Sequence, residues 1–260
     1  MQLQEVKCFG VRAGEGNAAL VVQGGPRDQA GRQAFANGQN VSACVFLDDD
    51  GDPRAACVLD FYYPHTRSPL CLHATLAAAR ILFTQQWSYS PIVVRTALRS
   101  QYLTLLREGE ELFVALRRQP VDAPAPPLDL VAELLAATAM AFESPPAAAS
   151  VGSPKLLVEL KDSAALQALR PDLARIVAWG KEAGVNGVYA YCRVSDGVYE
   201  GRNFNHLDPA MEDSATGVAA GALTVLLGRA LTLYQGSRTC RIQTRLDGDT
   251  IFIGGRASGV

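Results

Sequence analysis

Two stretches of small and apolar residues stand out from an otherwise strand-like pattern of hydrophobic and polar positions. The first, 68–83, opens with turn formers and runs into good helix formers, so a helix is expected to start near Leu72 or His73. Its small face (Ala74, Ala77, Ala78) allows strands close approach, and Leu76, Ile81, Leu82 and Phe83 read as buried. A helix with almost no polar face is a core helix. The second stretch, 212–227, repeats the plan: polar capping residues, with Asp213 or Ser214 as a natural N-cap, then an apolar run in which Gly217, Ala219, Ala220 and Gly221 form a close-packing face. One such helix in each half suggests a duplicated unit.

Around these helices the pattern predicts short strands. Residues 6–11 and 17–22 form a hairpin turning at Gly14 and Gly16, and 42–47 and 57–63 flank an acidic loop. Further strands are expected at 92–95, 102–107, 112–117, 156–160, 187–193, 198–204, 235–245 and 250–254. Weaker helices are expected at 27–37, 128–138, 163–169 and 171–179. Four prolines between 120 and 127 mark the crossing between halves. The fold class is therefore α+β, with mixed sheets wrapped around helices and no P-loop or GxGxxG motif. The halves are read as 1–117 and 118–260, with the last strand, about 249–256, free to return to the first.

Composition narrows the function. A net charge of -2 and the lack of a basic run give no case for nucleic acid. No apolar run reaches spanning length, and no secretory signal pattern opens the chain. Six scattered cysteines without a CxxC pair suit buried reduced thiols in a cytoplasmic protein, with no zinc site. The acidic loop 48–53 resembles half of a calcium loop but lacks its distal Glu and flanking helices, so it reads as a solvated turn. The chemistry-bearing residues collect at the two helix starts. A helix start carries unpaired N–H groups and partial positive charge, which suits a small carboxylate. Cys71 and His73 stand at the first and Asp213 at the second.

The stretches 9–22, 61–79, 202–204, 212–217 and 253–256 together resemble the phenazine-biosynthesis PhzF-like family, a branch of the diaminopimelate epimerase fold. The resemblance implies two similar domains, each a curved mixed sheet or barrel around a central helix, with the active site in the cleft between them. It implies homodimers, and isomerase or epimerase chemistry on a small carboxylate-bearing metabolite without metal or organic cofactor. His73 and Asp213 then handle protons, with Cys71 as an auxiliary base. Asn17, Leu72, Ala74, Thr216, Gly217 and Val218 line the substrate. The same comparison puts Ala43 where the family's acid/base Glu is expected, Leu72 at a Gly position, Arg67 at a Glu position, and Ser214 and Val218 in place of a Pro and a Ser. Read without the resemblance, Cys71 and His73 are core packing, Asn17 a turn residue and Arg67 an exposed cation. The losses leave open a second class, a catalytically degenerate small-molecule-binding protein.

Overall fold

The computed structural model describes residues 1–49, 51–85, 90–123, 125–137, 142–204 and 212–259. The chain divides into two compact units, Met1–Leu116 with Gly254–Val260, and Arg117–Ile253.

In the first unit the strands β1 (Gln2–Phe9), β2 (Gly16–Gln23), β3 (Ala43–Asp48), β4 (Val58–Tyr63), β6 (Ile92–Thr96), β7 (Tyr102–Glu108) and β8 (Glu111–Arg117) follow one another as neighbours, and the short β5 (Thr66–Ser68) pairs with β4. The final strand β15 (Thr250–Gly259) lies beside β8 and pairs antiparallel with β1, Val6 opposite Gly259, so the sheet closes on itself. A closed sheet removes exposed edges and surrounds its core. That core is the helix α2 (Leu72–Gln85), buried along its length from Leu72 to Ala79 and again at Ile81, Leu82 and Phe83. Gly254 sits at the seam, where an added Cβ would stand 2.1 Å from the carbonyl oxygen of Leu112. Backbone cannot step aside as a side chain can. Gly254→Ala is therefore expected to cost about 3 kcal/mol, the upper end of ordinary overpacking, read by urea unfolding; a change below ~1 kcal/mol would place the seam elsewhere.

The second unit wraps a sheet around α6 (Gly217–Leu227). Its order is β15, β14 (Cys240–Asp247), β13 (Leu231–Gln235), β12 (Val198–Phe204), β11 (Val188–Ser195), β10 (Lys155–Leu160) and β9 (Ala147–Ala149). Side chains alternate between faces along each strand. Leu156, Val158, Leu160, Val188, Ala190 and Phe204 pack beneath α3 (Leu128–Leu135), α4 (Ser163–Ala168) and α5 (Leu173–Ala183). Leu157, Tyr189 and Asn203 share one rung on the opposite face. Gly221 gives α6 its close approach, since a Cβ there would meet Ile253 and Val151 at 2.5 and 2.7 Å.

Each predicted helix is present among the described residues, with shifted ends. The 128–138 helix closes at Leu135, where Ala136 turns left-handed at φ 47°, and Thr138 falls outside the described residues. The single strand expected over 235–245 is two, β13 and β14, because Gly236, Ser237 and Arg238 all take positive φ and reverse the chain. The acidic loop is held by its own neighbours: Asp52 accepts from Arg54 at 2.9 Å and from the Tyr102 hydroxyl at 2.5 Å.

Candidate active site

In the first unit the site is built where β2, the entry to β3 and the start of α2 meet. Cys71 immediately precedes the helix, and its carbonyl accepts both the N–H and the hydroxyl of Thr75, each at 2.8 Å, closing the first turn. That turn presents Cys71 (2 % exposed) and His73 (5 % exposed) inward, with Leu72 and Ala74 buried beside them. Asn17 is a buried strand residue, not the turn residue its type suggests by default.

Ser42 ties these groups together, and nothing in the sequence singled it out. Its Oγ lies 2.5 Å from Asn17 Oδ1, 2.6 Å from the carbonyl oxygen of Ala18 and 3.1 Å from His73 Nε2. A hydroxyl has one hydrogen to give. The Ala18 carbonyl can only accept, so that hydrogen is committed to β2 and His73 must donate from Nε2. Bookkeeping of donors thus assigns the tautomer, with Nδ1 left as the basic nitrogen. Cys71 Sγ lies 3.4 Å from Nδ1. The arrangement is a thiol beside the lone pair of an imidazole whose far nitrogen is fixed.

Burial holds the His73 imidazole well below its ordinary range, at about 4. The sign of the consequence follows from linkage. Below about 6.5 the unfolded chain takes up a proton that the folded chain refuses until about 4, so His73 erodes stability as pH falls through that window. The loss is on the order of 3 kcal/mol. Unfolding free energies measured between pH 7 and 4 should fall less steeply in His73→Gln than in the parent protein; parallel curves would show an imidazole that titrates normally.

A second ionic group lies in the same unit. Asp60, 4 % exposed at its side chain, accepts from Arg32 Nη1 and Arg67 Nε, both at 2.8 Å, and Arg32 also reaches Asp48 at 2.7 Å. Arg67 is therefore committed to Asp60 and is not the exposed cation its type suggested.

In the second unit Asp213, Thr216, Gly217 and Val218 come together at the start of α6. Asp213 is not the helix N-cap, and neither is Ser214; Thr216 holds that position, without a side-chain capping bond. Its hydroxyl instead donates to Asp213 Oδ2 at 3.0 Å. The run 212–216 offers several capping residue types in a row, and their order alone does not choose among them. Gln235 fixes the local backbone: its Nε2 donates to the Asp213 carbonyl at 2.6 Å, and its Oε1 accepts from the Thr216 N–H and the Tyr189 hydroxyl, each at 3.3 Å. Lys155, read from the sequence as lying just outside a strand, is the first residue of β10 and is buried. Burial lowers its ammonium to about 8, against the opposing pull of Asp213.

Among the described residues no group of three or more His, Cys, Asp or Glu is placed to hold a metal ion, and no helix is long and apolar enough to cross a membrane. An imidazole, a thiol, a carboxylate and a lysine, groups able to exchange protons, lie near the starts of α2 and α6.

Comparison with known proteins gives the family and the fold. The chain is 32 % identical over 236 residues to an uncharacterized isomerase of Pseudomonas aeruginosa, covering 87 % of this chain and 83 % of that protein. It is 30 % identical over 234 residues to an uncharacterized isomerase of Deinococcus radiodurans, covering 86 % and 75 %. The fold matches the Bacillus anthracis phenazine biosynthesis protein of the PhzF family with a TM-score of 0.84 at 18 % identity, over 100 % of this chain and 98 % of that one. A hydroxyproline epimerase from Agrobacterium vitis with bound trans-4-hydroxy-L-proline matches at a TM-score of 0.67 and 15 % identity, over 100 % and 89 %. These likenesses establish a fold shared with PhzF-type proteins and proline-type epimerases, and the two sequence relatives are named isomerases. A family model for phenazine biosynthesis-like proteins matches residues 6–246, and the chain belongs to that family.

Proposed function

We propose that this protein is a cofactor-independent isomerase or epimerase that moves a proton on a small carboxylate-bearing metabolite. The observation that carries the reading is the Ser42–His73–Cys71 array, which fixes one imidazole nitrogen and leaves the other beside a thiol. His73 and Asp213 handle protons, Cys71 serves as an auxiliary base, and the N–H groups at the starts of α2 and α6 receive the carboxylate. Asn17, Leu72, Ala74, Thr216, Gly217 and Val218 shape the substrate's surroundings. When Cys71 acts, its S–H proton passes to His73 Nδ1, the thiolate takes the substrate's carbon-bound proton, and an acid returns a proton to the same carbon or a conjugated one. No net oxidation occurs. The protein works in the cytoplasm as a homodimer.

Ala43 favours a second reading. It is buried at 1 % exposure at the start of β3, and by family likeness it stands where an acid/base carboxylate is expected. A methyl group moves no proton, so the alternative is a binding protein without turnover. Incubating the protein in D2O with a panel of chiral small acids separates the two. Deuterium entering at the carbon next to the carboxylate supports the isomerase. Thermal stabilisation by an acid that shows no exchange supports the binding protein.

A further inference from the structure

One guanidinium of the second unit is held from several directions at once. Arg202, on β12, donates from Nη1 to the carbonyl oxygens of Leu166 and Leu169 at 3.0 and 3.2 Å, where α4 ends. Its Nε and Nη2 donate to the two carboxylate oxygens of Glu212 at 2.9 and 2.8 Å. Its Cζ stands 5.0 Å from the centroid of the Phe204 ring. Glu200 lies two residues earlier on the same strand, hence on the same face. It is buried and accepts from Ser163 Oγ at 2.8 Å and from Gln167 Nε2 at 2.9 Å. Both side chains therefore fasten α4 to β12, and the fork that reaches Glu212 stands on a fixed base.

The pair with Glu212 is poorly suited to holding the fold together. Its side chains are 16 % and 37 % exposed, and a pair that solvent reaches is screened and contributes little to stability. Its geometry is nonetheless demanding. Two parallel bonds between planar groups fix orientation as well as distance, which a single contact does not. What they orient is the start of α6, because Asp213 follows Glu212 directly and its backbone bridges to Asn203, the residue after Arg202. From the helix side, the Thr216 hydroxyl holds the Asp213 carboxylate and Gln235 holds its carbonyl. Arg202 supplies the matching hold from the strand side.

We propose that Arg202 is a positioning residue: through its two bonds to Glu212 it sets the place of the Asp213 carboxylate before α6. The inference rests on the reading of Asp213 as a proton-handling group, and it adds an anchor that reading does not name. Proton transfer requires the acid or base to lie within hydrogen-bond reach of the reacting atom. A misplacement of about 1 Å can lower a rate about 10²-fold. The anchor thus acts on the rate far more than on the fold. A lysine in its place would supply the charge but neither the fork to Glu212 nor both bonds to the end of α4.

The test compares Arg202→Gln, Arg202→Lys and Glu212→Gln with the parent protein in two measurements. The first is amide hydrogen exchange: residues 213–217 should exchange at least about tenfold faster in each variant, with the remaining strands of the unit unchanged. The second is turnover of a small acid that the parent exchanges in D2O. There kcat should fall about 10²-fold with KM nearly unchanged, the mark of a group misplaced in the transition state. Tm should fall by no more than about 4 °C. The double variant Arg202→Gln/Glu212→Gln should be no slower than either single one, since all three break one link. Glu212→Gln leaves Arg202 on the carbonyls of α4, so it decides the matter even if loss of Arg202 undocks that helix. Unchanged protection at 213–217 overturns the proposal. So do additive losses in the double variant, or a parent-like kcat in Glu212→Gln. The amide measurement is independent of turnover: a parent protein that exchanges no acid removes the isomerase reading, while protection at 213–217 still upholds or overturns the anchor.

Discussion

Replacing His73 with Gln is expected to lower the rate of carbon-bound hydrogen exchange by about 10²–10⁴-fold while leaving the fold intact. Gln approximates the size of the imidazole and can still donate toward Ser42, but it offers no basic nitrogen to Cys71. A low pKa makes the resting imidazole a weak base, which at first counts against it. The same burial ensures that it is neutral, and so free to accept, throughout the physiological range. An anionic substrate entering beside it stabilises the protonated form and moves the pKa back up. Pre-steady-state exchange in D2O measures the effect, with retention of secondary structure as the control for folding. A loss of less than ~10-fold is too small for a general acid or base and would leave His73 an orienting group.

The largest expected effect on stability belongs to Asp60. It is a single carboxylate between two guanidinium groups, and Arg32 is itself buried against Phe46, its Cζ 4.7 Å from the ring centroid. In Asp60→Ala the two cations lose the charge that separates them. Breaking a buried ion group by removing one partner costs about 3–5 kcal/mol. For a chain of this size that corresponds to a fall in Tm on the order of 10 °C. Asp60→Asn keeps acceptor geometry without the charge and should fall between. Equal behaviour of all three proteins in calorimetry would mean that solvent reaches the cluster and screens it.

The fold was legible in the sequence wherever one face of an element had no polar positions. A run such as 72–83 has nowhere to go but the middle of a sheet, and the same logic places 217–227. Element ends were less legible because they depend on backbone states that residue types only bias. The reversal at 236–239 places non-glycine residues Ser237 and Arg238 at positive φ, which no residue pattern there announced. The site was legible as far as its helix starts. Cys71, His73 and Asp213 each stand beside one, and polar residues within apolar runs draw notice. Ser42, Lys155, Asn203 and Gln235 were missed for a common reason: each lies in or beside a strand, where one polar residue among apolar neighbours is ordinary. Only register and burial reveal that Asn203 shares a face with Tyr189, or that Ser42 has already spent its hydrogen. Arg67 shows the opposite error, since its partner Asp60 is seven residues away and only the β4–β5 pairing brings them together.

The central proposal is that His73 and Asp213 handle protons. Its most direct test is deuterium wash-in from D2O into a small acid that the parent protein exchanges, followed in His73→Gln and in Asp213→Asn. Loss of exchange in both variants, with ligand-induced thermal stabilisation retained, is the predicted result. Exchange that continues at the parent rate in either variant would contradict it.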